Sequence, residues 1–416
     1  MSAARPAAVA LVDAVIVTGT GRDPFDGAVV VSGDRIVDVV EGGTVRSGVD
    51  LSVDCRGRSL LPGLIDAHVH IGALDVDIQE QHRRYFDSEA ALLMGRALTG
   101  LLDRGFTTVR DAGGADAGFR RAVERGVVAG PRLLVSGRPL SQTGGHGDAR
   151  RRTEHGDVLG CAAGVGLPQR VADGPDEVRR AVREELRRGA DQIKVMASGG
   201  VMSPTDRLEA TQYSFEEIRV AVQTAEQAGS YVLAHAYTPA SIQMCVRAGV
   251  RSIEHGNLID AQTAALMAEH GVFLDPTLVT YQRLYEEGER LGVPAENLAK
   301  LQVVIDAGLG SLRLARAAGV KIASGSDLLG PLAVDSGREI AIKAEVLGAH
   351  GAIVASTATN AELLRLDHRL GTIAPGKQAD LIVVDGNPLD DPGLLGRADR
   401  LSVVMLGGRL HKNTLS

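Results

Sequence analysis

Between residues 61 and 365 the chain alternates short apolar runs with helix-like stretches, and this alternation limits the fold more than any other feature. The runs are GLIDAHVH, FTTVRDAG, RLLVSGRPL, QIKVMASGG, YVLAHAYT, RSIEHGN, GVFLDPTL and VKIASGSD. Each has the length and apolar character of a strand covered on both faces. Between them, DGPDEVRRAVREELRRGA and SFEEIRVAVQTAEQAG carry apolar residues at i, i+3 and i+4 and open on Asp173 and Ser214, residue types that cap helix N-termini. Eight strand–helix units are the arithmetic of an α/β (β/α)8 TIM barrel, whose reacting groups gather at the carboxyl ends of the strands. A doubly wound open sheet would call for Gly-x-Gly-x-x-Gly after a strand, and the chain offers none.

The two ends read differently. Residues 8 to 60 form short alternating runs separated by turn signals, and residues 370 to 416 repeat that texture. Neither end is long enough to bury a core alone, so the expected organisation is a composite β-sandwich module from 1–60 plus 366–416 beside a barrel domain at 61–365.

With a net charge of −7 and basic residues clustered only around HGDARRRTEHGD, the 416-residue chain is not a nucleic-acid binder by composition. Cys55, Cys161 and Cys245 are odd in number and far apart, which argues against a disulfide framework and for a reducing cytoplasm. The N-terminus lacks a basic segment followed by an unbroken apolar core, and no apolar stretch reaches the ~18 residues of a membrane span. Neither a signal peptide nor a membrane partner is expected.

The chemistry sits where the strands end. The first closes on His68-Val69-His70, and residues i and i+2 of a strand share a face, so both rings project beyond its end side by side. The fourth carries Lys194, the fifth reaches His235, the sixth His255, and the eighth ends at Asp327. In one barrel these would meet at one rim. An isolated ammonium is costly to bury, so Lys194 calls for a special explanation. Burial beside metal cations would depress its pKa, and the neutral amine could then take up carbon dioxide as a carbamate that bridges two divalent metals.

These residues, with the texture PGLIDAHVH, TTVRDAGG, GGHGD, IKVMASGG, AHAY, SIEHG and SGSD, resemble the binuclear-metal amidohydrolase superfamily over nearly the whole chain. The prolidase-like branch of Xaa-Pro dipeptidases is the nearest in appearance, with imidazolonepropionase-like enzymes as cousins. The resemblance implies one metal on His68, His70 and Asp327 and a second on His235 and His255, with carboxylated Lys194 and a hydroxide bridging both. Zn²⁺ suits these ligands, with Mn²⁺ and Co²⁺ as alternatives. In such a site Asp327 takes the hydroxide proton and returns it to the leaving nitrogen.

For the substrate, the resemblance implies a dipeptide or N-acyl amino acid whose free carboxylate lies near His146 of GGHGD, with Tyr213 contacting its carboxylate or carbonyl. Tyr237 shares a strand face with His235, and the loop after the third strand offers Arg150, Arg151, Arg152 and His155, of which Arg152 is taken as a carboxylate contact. DPTLVTYQRLYEEGERLG reads as a mobile lid, with Glu286, Glu287 and Glu289 as a solvated helix face. Relatives imply a homo-oligomer. Rival readings are an imidazolonepropionase or other cyclic-amide or ester hydrolase, a mononuclear deaminase, an amidase degrading a natural product or xenobiotic, and a barrel that has lost catalysis. Lys194 and the complete ligand set argue against the deaminase and the inactive scaffold.

Overall fold

The computed structural model describes residues 8–415 apart from 44–47, 79–80, 151, 154–164, 167–168 and 204–205. Arg151, His155 and Cys161 lie outside the described residues. Four strands open the chain: β1 (Ala8–Ile16), β2 (Phe25–Ser32), β3 (Arg35–Glu41) and β4 (Leu51–Pro62). The central strands are β5 (Leu64–Val69), β6 (Phe106–Asp111), β7 (Arg132–Val135), β8 (Leu140–Ser141), β9 (Arg170–Val171), β10 (Ile193–Met196), β11 (Val232–Ala236), β12 (Ser252–His255), β13 (Phe273–Asp275) and β14 (Lys321–Ile322). Three more close the chain: β15 (Leu381–Val384), β16 (Leu401–Leu406) and β17 (Arg409–Asn413).

The central strands pair in parallel in two sheets, β5-β6-β7 and β14-β13-β12-β11-β10-β8-β9. Between them run helices α1 (Asp87–Asp103), α2 (Ala117–Glu124), α3 (Gly174–Arg187), α4 (Phe215–Gln227), α5 (Pro239–Ala248), α6 (Ala261–Glu269), α7 (Leu278–Leu291) and α8 (Ala295–Ala318). Backbone bonds also link the sheets. Ala67 N donates to Ser324 O (2.9 Å) and Asp327 N to His68 O (2.8 Å), while Asp191 N donates to Val135 O (2.7 Å).

Two expected strands are broken. RLLVSGRPL splits into β7 and β8 because Gly137 turns through a left-handed φ of 67° ahead of Pro139. VKIASGSD is regular only at Lys321–Ile322. Beyond it, Ser326 N and Oγ donate to the buried carboxylate of Asp66 (3.0 and 2.6 Å) instead of continuing the ladder.

The helix starts follow the sequence signals unevenly. Ser214 forms a full capping box with Glu217 on α4. Asp173 stands at the N-cap of α3 but spends its carboxylate on Thr143 N and Oγ1 (2.9 and 2.6 Å). The helical run Arg338–Leu363 is long and apolar enough to cross a membrane by composition, yet half of it is buried in the fold. Its Lys343, fully buried, donates to Ala323 O (2.9 Å), as a core helix would.

Both chain ends build one composite module, its seven strands hydrogen bonded in the order β17-β16-β15-β4-β1-β2-β3. It stays continuous because β4 is twelve residues long and pairs with β1 on one side and β15 on the other, its register with β1 slipping between Asp54 and Arg58. β4 passes into β5 across Gly63, whose amide donates to Asp380 O (2.8 Å). A Cβ at Gly63 would run into the side chain of Thr107 in β6. Gly63→Ala is therefore expected to lower stability by ~1–3 kcal/mol, seen as a reduced urea midpoint with an unchanged slope.

Candidate metal centre

β10, β11 and β12 run side by side in parallel register, His235 opposite Glu254 and Ala236 opposite His255, so their ends lie level. The cavity at those ends is lined by His68, His70, Lys194, His235, His255 and Asp327 together with His146 and Tyr237. The ring centroids of His68 and His70 lie 5.2 Å apart, those of His68 and His255 5.3 Å, and those of His235 and His255 4.6 Å. Among the described residues seven non-glycine residues adopt left-handed φ, and three of these, His255 (76°), Thr277 (45°) and Asp327 (52°), belong to this site. Such backbone persists only where its surroundings impose it.

Each histidine has one nitrogen engaged away from the cavity. His68 Nδ1 donates to Glu254 Oε2 (2.7 Å), His70 Nδ1 to Gly113 O (2.8 Å) and His235 Nε2 to Gly199 O (3.0 Å); His255 Nδ1 pairs with Thr277 Oγ1 (2.7 Å). A carbonyl or carboxylate partner fixes the tautomer and leaves the other nitrogen with a lone pair. The two Nε2 atoms so exposed, of His68 and His70, both face Asp327 Oδ1, at 3.4 and 3.2 Å. His68 Nε2 is buried with no hydrogen-bond partner. With both nitrogens neutral, their lone pairs would repel the carboxylate, and either a proton on His70 Nε2 or a metal cation between the three groups removes the conflict. The donor set therefore fits a divalent metal.

The charge states agree for three of the four histidines, whereas at His70 the Asp327 carboxylate outweighs burial and raises the imidazole above its usual range. Burial holds the imidazoles of His68, His235 and His255 well below the usual histidine range, so they stay neutral and able to ligate. Burial works to raise the Asp327 carboxyl, but His68 and His70 beside it keep it below the usual range. Lys194, 1% exposed, is brought down to about 8 by burial, against the pull of Glu254 and Asp327.

Beneath the cavity lies a set of charges that the sequence reading passed over. Arg110 is fully buried and reaches both oxygens of Glu254 (2.9 and 2.8 Å), Ser252 Oγ (3.1 Å) and Ala67 O (2.5 Å). His68, Glu254 and Asp275 also come together as possible ligands, but the Arg110 guanidinium already supplies the cation there, 3.8 Å from Asp275. Burial, and Glu254 nearby, push the Asp275 carboxyl well above its usual range. Asp111 accepts from the amides of Ile71, Gly113 and Ala115 (2.9, 2.9 and 3.1 Å), shaping the turn whose Gly113 carbonyl orients His70. Arg110 and Glu254 gave the same signal as Lys194, a charge inside an apolar run.

The expected substrate contacts divide. His146 stacks on His235 (4.3 Å, 16°) with its Nδ1 buried and unpartnered, and Tyr237 packs on His255 with its hydroxyl 2.9 Å from that of Tyr281. Tyr213 is buried in the core at a φ of 58°, outside the cavity lining, with its phenol pushed up by burial. Arg152 is exposed and does not line the cavity, and Arg150 turns back onto Asp148 (2.6 Å). The long polar loop thus delivers His146 to the cavity but not these two arginines. The lid segment is the packed helix α7, which contributes Thr280, Tyr281 and Leu284 to the cavity and engages Glu286 with Arg338 (3.0 Å). Gln169, with its Oε1 buried and unpartnered, also lines the cavity, and nothing in its sequence context marks it out.

Residues 59–411 match the amidohydrolase family model. The chain belongs to the amidohydrolase family. It is 34% identical to the ochratoxinase of Aspergillus niger over 96% of its own length and 85% of that protein. Its fold is similar to a prolidase solved with N-methylphosphonate-L-proline (44% identity, TM-score 0.94, 98% of this chain and 100% of that one). It is similar too to a Xaa-Pro dipeptidase solved with methionine in its active site (29%, TM-score 0.86, 98% and 100%). This amidohydrolase is a hydrolase acting on amide bonds.

The contact between Glu254 and His68 yields a direct expectation. Glu254→Gln keeps the shape but removes the charge that faces Nδ1–H, and zinc affinity of the metal-free protein, measured by competition with a chelator, should fall ~10–100-fold.

Proposed function

We propose that this amidohydrolase is a binuclear enzyme cleaving the amide bond of dipeptides or N-acyl amino acids that carry a free carboxylate. The observation that carries this reading is the inward-facing set of four oriented histidines with Lys194 and Asp327 in one cavity. His68, His70 and Asp327 would hold one metal and His235 and His255 the other, with Lys194 as a carbamate ligand common to both. Zinc suits such donors best, and manganese or cobalt would serve in the same places. Two bound cations would supply an acidified water and polarise the scissile carbonyl.

The chain's own groups perform the rest. Asp327, kept ionised by its histidine neighbours, accepts the water proton and passes it to the leaving nitrogen. His146 receives the substrate carboxylate, and Tyr237, its hydroxyl anchored on Tyr281, lines the side where the substrate lies. Met196, Val201, Met202, Leu284 and Leu329 exclude water and accept the apolar part of the substrate. Most of that lining would suit an amidase acting on a natural product or xenobiotic equally well, a second reading favoured by the similarity to ochratoxinase.

The same proposal includes the architecture. The backbone bonds between β5 and the Ser324–Asp327 segment, and between β7 and the approach to β10, support closure of the two parallel sheets into one (β/α)8 barrel spanning 61–365. Residues 1–60 plus 366–416 then make the companion β module. The buried thiols of Cys55 and Cys245, unpaired, fit a reducing cytoplasm, and Phe86 and Leu92, 81% and 77% exposed at α1, fit association with further copies of the chain.

Three results test the reading. A library of dipeptides and N-acyl amino acids should yield free amino acids with the zinc-loaded enzyme, and no cleavage of any member would refute it. Asp327→Asn should lower kcat by ~10²–10⁴-fold in a protein whose circular dichroism matches the parent. His146→Ala should raise KM for substrates with a free carboxylate and leave their amidated analogues unaffected, as read from parallel Michaelis–Menten curves.

A further inference from the structure

Most of the cavity wall is held by strand ends, but Val201 and Met202 come from the loop between β10 and α4. The base of this loop is pinned by backbone bonds, Gly199 N to Ala210 O (2.9 Å) and Gln212 N to Ala197 O (2.9 Å). Beyond its base, the loop is gathered from outside. Lys300, near the start of α8, directs its ammonium at three main-chain oxygens, Gly200 O (3.5 Å), Ser203 O (3.3 Å) and Asp206 O (2.9 Å). An ammonium has three donors and no acceptor, so it matches three converging carbonyls. Without a cation the negative ends of those dipoles would point at one another with no protein donor between them.

What hangs on this loop is part of the site. A Cβ at Gly200 would collide with the ring of His146, so the loop backbone sets the position of that ring. Asp206 Oδ2 accepts from Gln212 Nε2 (2.7 Å), and Gln212 Oε1 accepts from the amide of His146 (2.8 Å). One lysine from a helix outside the strand ends therefore bears on the apolar wall and on the neighbour of His235.

We propose that Lys300 is a positioning residue that fixes the wall at Val201 and Met202, through Gly200, Ser203 and Asp206, and thereby sets how large a substrate group the cavity accepts. The inference rests on the proposed amide hydrolysis for its substrates, though not for its structural test. Lys300→Met keeps the aliphatic stem and removes the donors, Lys300→Gln is a second removal should the first not fold, and Lys300→Arg restores both charge and donors.

Two readouts apply. Hydrogen exchange over residues 199–208 should be faster in the Met and Gln variants and near the parent in Arg, whether or not any amide is cleaved. Across N-acyl amino acids of graded acyl and side-chain size, KM for the bulkiest should rise ~10-fold more than for the smallest, in KM rather than kcat, with metal content unchanged and with Arg recovering most of the loss. Parent-like exchange together with parent-like size selectivity would overturn the proposal. So would a size-independent fall in kcat accompanied by loss of metal, which would mark Lys300 as a general support of the fold. If the parent enzyme cleaves no amide, the proposed function fails, and the exchange data alone then decide for or against Lys300.

Discussion

The pairing of Arg110 with Glu254 is the interaction on which the site depends. Both side chains are fully buried, and charges taken out of water are tolerable only when matched and hydrogen bonded. Here Arg110 Nη2 alone reaches both Glu254 oxygens, the other guanidinium nitrogens donate to Ser252 and the Ala67 carbonyl, and Glu254 also accepts from His68. One guanidinium thereby ties β6, β12 and β5 together directly under the first two candidate ligands. Removing either partner would strand a charge in the core, which ties the stability of the fold to the orientation of His68.

From that base the ordering spreads outward. Asp66 accepts from the amides of His68 and Ser326 (3.1 and 3.0 Å), joining β5 to the segment that ends in Asp327. Asp111 does the same for the turn beside His70. The left-handed backbone at His255, Thr277 and Asp327 is a local cost met by this packing, and it turns the side chains toward a common point. The result is a rigid cluster of imidazoles, those of His68, His235 and His255 held neutral by burial and that of His70 raised by the Asp327 carboxylate, with a lysine whose charge is weakened by burial. An arrangement of this kind is poorly satisfied by protein atoms alone and well satisfied by divalent cations.

Much of this was legible in the sequence, for physical reasons. A strand alternates faces every residue, so His68-Val69-His70 could be read as two rings on one side without any structure. Lys194 stood out because an ammonium in an apolar run has to be explained. Arg110 and Glu254 sent the same signal, but their pairing bridges 144 positions and cannot be seen along the chain. The substrate contacts were harder. His146 reached the cavity, whereas Arg152 is exposed and Tyr213 is buried elsewhere, because loop direction and left-handed backbone leave no periodic trace. The joining of both chain ends through β4, which pairs with β1 on one side and β15 on the other, is a property of pairing rather than of composition.

In the proposed centre, six side chains from segments distant in sequence would hold two divalent cations. The most direct test is elemental analysis of protein purified from zinc-supplemented culture, joined to anomalous diffraction at the zinc edge. The expected result is two metals per chain, one among His68, His70 and Asp327 and one beside His235 and His255, with Lys194 extended by a carboxyl group between them. A single metal or none, after zinc and bicarbonate have both been supplied, would contradict it.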